Sequence, residues 1–244
     1  MKRKSGKVVA TIECRMTSSR LPGKILMDAI DGKSMLELMI ERVARSKRID
    51  EMVIATTEND TDDVVVDLAN KVGIQVFRGS EHDVLARVWG AVKQTKAKHV
   101  VELTSDCPLI DPEIIDQVVE LYFTSKCDYA STGTPVPNFP AGMDTQVFSK
   151  AALLEAHMKG KSPEDREHVS WYITHHPDRF KLVELKAPER ISNTNIRLTL
   201  DTKGDCELIR RVIKRLYPHN PLFSCEDIVD LFDGDESLPR RGVK

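Results

Sequence analysis

Apolar, β-branched runs recur at residues 8–12, 52–56, 74–77 and 100–103, and the stretches between them return their apolar positions with helical period. That alternation predicts βαβ units and a mostly parallel sheet. Ser34 is placed to cap a helix through Met35, Leu36, Leu38, Met39, Ile40 and Val43, and residues 60–72 and 81–96 predict a second and a third. Asp111-Pro112-Glu113 opens a fourth through Ile114, Ile115, Val118, Val119 and Leu121, with proline in the first turn, where its missing N–H costs nothing. After Ala130 the pattern breaks. Residues 131–143 hold three prolines, two glycines and little periodicity, which predicts an excursion from the sheet rather than another βα repeat. Residues 148–180 carry two helical patterns, 196–200 read as a strand, and helices follow near 206–216 and 224–232. The expectation is one three-layer α/β/α domain over residues 1–244, Rossmann-like, with an insertion at about 131–180.

A chain of 244 residues arranged around one sheet buries a substantial core. The net charge of -2 offers no global attraction for nucleic acid or an anionic membrane, so any anion site is local. Five scattered cysteines, with no C-x-x-C pair and no histidine at zinc spacing, predict free thiols in a reducing cytosol. The basic N-terminus leads into only a short apolar run and then Glu13, which does not fit a signal peptide, and no segment approaches the roughly 20 apolar residues of a membrane span. A cytoplasmic location is expected.

The most informative stretch follows the first predicted strand. Residues 13–24, Glu-Cys-Arg-Met-Thr-Ser-Ser-Arg-Leu-Pro-Gly-Lys, place Arg15, Arg20 and Lys24 within ten positions, with Thr17, Ser18 and Ser19 between them. Three cations neutralise phosphate oxygens, while hydroxyls and free backbone N–H groups donate the hydrogen bonds that fix a polyphosphate. The bland alternative is a solvated basic turn. Its position, after the first strand of an α/β pattern, favours the phosphate reading. Ile25 follows Gly23-Lys24 and no glycine stands five residues before Gly23, so the G-x-x-x-x-G-K-[ST] loop is excluded, as is G-x-G-x-x-G.

Two aspartates terminate apolar runs, Asp106 in Thr104-Ser105-Asp106-Cys107-Pro108 and Asp201 in Leu198-Thr199-Leu200-Asp201-Thr202. Strand-end carboxylates that converge suit Mg²⁺, which takes oxygen ligands and shares its shell with substrate phosphates. Taken alone, each reads more readily as a cap than as a ligand, Asp106 as a helix N-cap or Asx-turn and Asp201 as the N-cap of the helix that follows.

The Arg-Met-Thr-Ser-Ser-Arg-Leu-Pro-Gly-Lys segment resembles the signature of the cytidylyltransferases that activate sugars as CMP conjugates. It is nearest the spore-coat polysaccharide type and similar to the CMP-sialate and CMP-3-deoxy-octulosonate synthetases. The resemblance runs from the first loop through Asp201 and implies a nucleotide-diphospho-sugar transferase-like fold. It implies transfer of CMP from CTP to a sugar hydroxyl with release of pyrophosphate, Mg²⁺ on Asp106 and Asp201, and catalytic roles for Arg15, Lys24, Asp106 and Asp201. It also implies nucleotide contacts from Arg78, Ser80 and Arg87 in the segment after the third strand. Acceptor contacts fall to Asp144, Arg166 and His168, which suit an acidic sugar, while His175 and His176 read as structural. A homodimer is implied, built from residues 131–170 with Phe139, Trp171 and Tyr172 as apolar anchors; no residue stands out as a general base.

Relatives of this type usually carry glutamine at Glu13, alanine at Cys14 and glycine at Thr17 and Ser105, so this chain departs at the loop and at the metal motif. The rival readings are a nucleotidyltransferase that uses another NTP or a non-sugar acceptor, and a catalytically silent nucleotide-binding subunit.

Overall fold

The computed structural model describes residues 6–133, 138–192 and 194–242. In chain order the elements are β1 (Lys7–Glu13), β2 (Asp28–Ile30), β3 (Lys33–Ser34), α1 (Met35–Val43), β4 (Glu51–Thr57), α2 (Asp63–Val72), β5 (Gln75–Gly79), α3 (Val84–Lys93), β6 (Ala97–Thr104), α4 (Pro112–Ser125) and β7 (Tyr129–Ser131). There follow β8 (Gln146–Ser149), α5 (Lys150–Lys159), α6 (Pro163–Glu167), α7 (Trp171–Thr174), β9 (Leu182–Glu184), α8 (Lys203–Leu216) and α9 (Cys225–Gly234). Seven strands make one sheet in the order β5-β4-β1-β6-β8-β7-β9, and β2 and β3 form a small hairpin.

Side-chain alternation sorts this sheet into two cores. Val8, Ala10, Ile12, Ile54, Val101 and Leu103 face α1, α2, α4, α8 and α9. Val9, Val53, Ala55, Val100 and Phe148 face α3, α5 and α7. Strands buried on both faces read as continuous apolar runs, which is why β1, β4 and β6 were visible in the sequence. The helices begin where hydrogen-bond chemistry predicts: Ser34 and Glu37 form a capping box for α1, and Asp111 caps α4 ahead of Pro112.

Several boundaries move. The second helix begins with a 3-10 turn at Asp60–Asp62, and the third is shorter than expected because the Asp83 side chain accepts from Ala86 N at 2.9 Å and starts α3 there. The expected strand over 196–200 does not form. Its N–H groups go to three separate partners: Arg197 N to Arg240 O at 2.8 Å, Leu198 N to Ala141 O at 2.8 Å and Leu200 N to Asp106 O at 2.7 Å. Only an isolated bridge between Ala141 and Arg197 results. The excursion after Ser131 includes residues 134–137, which lie outside the described set, and it returns as β8, antiparallel to both β6 and β7.

The proposed dimer anchors are engaged within the chain. Tyr172 is 7% exposed in the α3-side core, Phe139 packs on the other core, and Trp171 stacks on His175. The five cysteines are free and buried, and among the described residues no helix is long and apolar enough to cross a membrane.

Candidate functional site

The loop between β1 and Lys24 is held open by a few defined contacts. Gly23 sits at φ +71, in the left-handed region where glycine pays no Cβ penalty, and its N–H reaches back to Met16 O at 2.9 Å. Met16 N in turn donates to Asp62 Oδ1 at 2.9 Å. Asp62 is fully buried, and its other oxygen accepts from Thr56 Oγ1 at 2.7 Å, Thr57 N at 3.0 Å and Thr57 Oγ1 at 2.7 Å. Burial alone would raise this carboxyl's pKa, but the donated hydrogen bonds more than reverse that and hold it ionised. Asp62 thus pins the loop to the end of β4.

Over the carboxyl edge of the sheet the loop meets the two predicted aspartates. Lys24 is 9% exposed, and its ammonium lies 3.1 Å from Asp201 Oδ1 and 3.9 Å from Asp106 Oδ2. Arg20 reaches Asp201 Oδ1 at 2.7 Å, and Arg197 pairs with Oδ2. For Asp201, burial would raise the pKa, but the nearby Lys24, Arg20 and Arg197 charges outweigh it and hold the carboxyl below the usual range. Neither aspartate is a helix cap. Thr202 caps α8 and Asp111 caps α4, while Asp106 Oδ1 accepts from Thr104 Oγ1 at 2.6 Å.

A cavity of about 390 Å³ opens here, lined by Arg15, Ser18, Ser19, Arg20, Lys24, Arg87 and Asp106 among others. Asp201 lies behind Lys24 and Arg20 and does not itself line it. A second cavity of about 530 Å³ adjoins, and Gln146, His168 and Ser170 line both. Asp144, Trp171 and His175 line the second. Gly142 N donates to Asp144 Oδ2 at 3.0 Å. Desolvation raises the Asp144 pKa, that hydrogen bond opposes it, and the Asp106 charge adds to it.

A sequence profile for cytidylyltransferases matches residues 9–228. The chain belongs to the cytidylyltransferase family. It is 33% identical to the spore coat polysaccharide biosynthesis protein SpsF of Bacillus subtilis over 93% of this chain and 94% of that protein. A solved cytidylyltransferase structure from Leptospira borgpetersenii superposes with a TM-score of 0.89 at 32% identity, covering 98% of each chain. A 3-deoxy-manno-octulosonate cytidylyltransferase of Pelobacter propionicus is 37% identical over 46% of this chain and 43% of its own. The protein is therefore a CTP-dependent nucleotidyltransferase of the three-layer fold expected from its sequence.

Of the residues singled out in the sequence of this cytidylyltransferase, Arg15, Ser18, Ser19, Arg20, Lys24, Arg87 and Asp106 come together in the first cavity, and Asp144 and His168 in the second. Four do not. Thr17 donates its hydroxyl to Glu81, beside Arg15 at 3.4 Å from the same carboxylate oxygen. Arg78 turns to Thr57 O at 2.9 Å, Asn59 O at 2.8 Å and Asp63 at 2.5 Å. Ser80 accepts from Asp83 N at 3.0 Å. Arg166 ties Asp83, at 2.6 Å, to the carbonyl of His157, at 3.1 Å, and so clasps α3 to α5. These side chains are spent on neighbouring elements and lie outside both cavities.

The sequence reading missed Glu102 and Gln146. Glu102 sits between Val101 and Leu103 inside β6, where a charged residue in an apolar run was the available signal, whereas Gln146 opens β8 after Thr145 and offered none. It also left His175 as structural, whereas the ring lines the second cavity.

Proposed function

We propose that the cytidylyltransferase transfers CMP from CTP to a sugar hydroxyl, with the triphosphate in the first cavity and the sugar in the second. The observation that carries this reading is the Lys24 ammonium set between Asp106 and Asp201 at the wall of a cavity that Arg15 and Arg20 also line. The acceptor hydroxyl gives up its proton to water, its oxygen bonds to the α-phosphorus, and the bond from that phosphorus to the β-phosphate oxygen breaks. Pyrophosphate then leaves against Arg15, Arg20 and Lys24, whose charges meet the developing negative charge.

The donor set fits a hard divalent cation. Two carboxylates already share one cationic group, and among the described residues no cluster of three or more potential ligands exists, so substrate phosphates and water would complete the shell, as Mg²⁺ prefers. Asp106 would hold the ion, joined by Asp201 where substrate phosphates draw Lys24 and Arg20 away from it, and when bound the ion supplies Lewis-acid polarisation of a phosphate oxygen.

Asp144 and His168, with the Trp171 and His175 rings, suit a polar sugar, and the octulosonate cytidylyltransferase relatives support an acidic one. A homodimer, implied by the resemblance of the loop sequence to CMP-sugar synthetases, belongs to the same proposal; light scattering that returns one chain's 27.5 kDa at micromolar concentration counts against it. The test of the activity is pyrophosphate release with CTP, Mg²⁺ and a panel of acidic sugars. Release that proceeds equally with UTP, or only with neutral sugar phosphates, removes this reading.

A further inference from the structure

The sheet face beneath α3 is apolar for most of its length and turns polar at the carboxyl edge. Residues two apart on a strand share a face, so Thr11 and Glu13 continue the row of Val9 on β1, and Glu102 continues that of Val100 on β6. Gln146 stands opposite Glu102 on β8. Arg87 descends onto the same patch from α3 and is 3% exposed. Glu13, Arg87 and Glu102 all line the first cavity, the one with Arg15, Arg20 and Lys24 in its wall.

Hydrogen-bonding capacity in this patch is unspent. Glu13 Oε1, Glu102 Oε2 and Arg87 Nε are buried without a partner. Arg87 Nη1 is already committed to Ser80 O at 2.5 Å and Glu81 O at 3.3 Å, which fixes the guanidinium plane while leaving the Nε–H free. A buried polar group left unpaired costs about 1 to 3 kcal/mol, so three on one cavity wall mark the complement of a ligand. Burial is also the main cause that drives both carboxyls toward the neutral form, Glu13 to about 8, and incoming N–H donors relieve that cost. A protonated carboxyl offers a donor as well as an acceptor, and accepting from ligand N–H groups selects the ionised form, in which both oxygens only accept.

The unspent capacity is two acceptors and one donor. Cytosine presents the reciprocal set along one edge: an exocyclic amine with two N–H groups, next to the ring acceptor N3. Uracil reverses both positions. We infer that Glu13, Glu102 and Arg87 form the base-reading subsite of the first cavity, the two carboxyls accepting from the cytosine amine and the Arg87 Nε–H donating to N3. The inference rests on reading that cavity as the nucleotide site. Glu13 directly precedes the cation loop, so a base over Glu13 and phosphates against Arg15, Arg20 and Lys24 belong to one molecule. With UTP, N3–H faces a guanidinium N–H and O4 is met only by a carboxyl that keeps its proton, so the ionised carboxyls that suit the cytosine amine repel O4.

Titration calorimetry of the full chain with Mg²⁺ and either CTP or UTP tests this on wild type, Glu13→Gln and Glu102→Gln, with melting curves to confirm folding. A side-chain amide donates to O4, so the CTP-to-UTP affinity ratio is expected to fall about tenfold or more in each variant. A ratio that stays within about threefold of wild type in either folded variant overturns the inference. Should a variant not fold, wild type alone decides: a CTP analogue that lacks the 4-amino group is expected to bind about tenfold more weakly, and equal binding overturns the subsite. Failure of wild type to bind CTP at all removes the nucleotide-site reading itself, an outcome distinct from an unchanged ratio.

Discussion

Asp201 shows how much one side chain's meaning depends on its neighbours. At 5% exposure, with Arg20, Lys24 and Arg197 around it, it is held ionised, and Asp106 at 3.9 Å remains as an alternative partner for Lys24. Asp201→Asn is therefore expected to stay folded and to lose turnover by orders of magnitude, measured as Mg²⁺-dependent pyrophosphate release; near-normal rates would reduce Asp201 to an organiser of the three cations. Arg15 is a cleaner probe because it is exposed and its contact with Glu81 is a long 3.4 Å. Arg15→Ala should weaken CTP binding by about 1.5 to 3 kcal/mol, with the melting temperature unchanged; calorimetry that finds equal affinity removes the phosphate role. Arg15, Arg20 and Lys24 were legible in sequence because one loop carries all three. Arg78 and Arg166 were not, because whether a cation faces a ligand or a neighbouring carboxylate is settled by partners such as Asp83, which lies 83 positions from Arg166.

Among the elements, the bridge between Ala141 and Arg197 joins the excursion to the segment that ends in Asp201. Gly142 makes that approach possible. Its φ is +103, and an added Cβ would stand 3.0 Å from the Leu198 carbonyl carbon and oxygen. Gly142→Ala is expected to destabilise the fold by about 1 to 3 kcal/mol and to disturb Asp144, whose carboxylate takes the Gly142 N–H. Denaturant melts combined with acceptor saturation curves check this, and a variant with unchanged stability and acceptor KM counts against it. The same segment shows where element-level reading ran out. Residues 196–200 have the composition of a strand, but a ladder needs a partner that presents successive residues in register, and here Arg240 and Asp106 each present one carbonyl while Ala141 alone presents both its N–H and its C=O. The buried strands β1, β4 and β6 were readable because being apolar on both faces leaves little other choice, whereas β7 and β9 are three residues long and carry too little pattern to register.

At the scale of the whole molecule, the layered architecture followed from periodicity, while the polar patch under α3 did not, because it exists only when β1, β6 and α3 are assembled. That patch gives the fold a pH signature. The Glu13 pKa is raised by burial to about 8, so the folded state holds a proton that the unfolded chain has already released. The stability associated with the neutral carboxyl is complete below the unfolded value near 4.5 and is lost as pH rises through about 8. Wild type should melt at a lower temperature at pH 9 than at pH 6 by a margin that shrinks in Glu13→Gln; equal pH slopes in the two proteins would contradict it. The sheet itself has a seam. β6 pairs in parallel with β1 on one edge and antiparallel with β8 on the other, so the cation loop lies on one side of that line and the lining of the second cavity largely on the other. A seam of this kind is a graft point: grafting the stretch from β7 to β9 out of a relative of similar length should carry over that relative's acceptor preference while CTP use stays with the host, so descent can change the sugar without redesigning the nucleotide half.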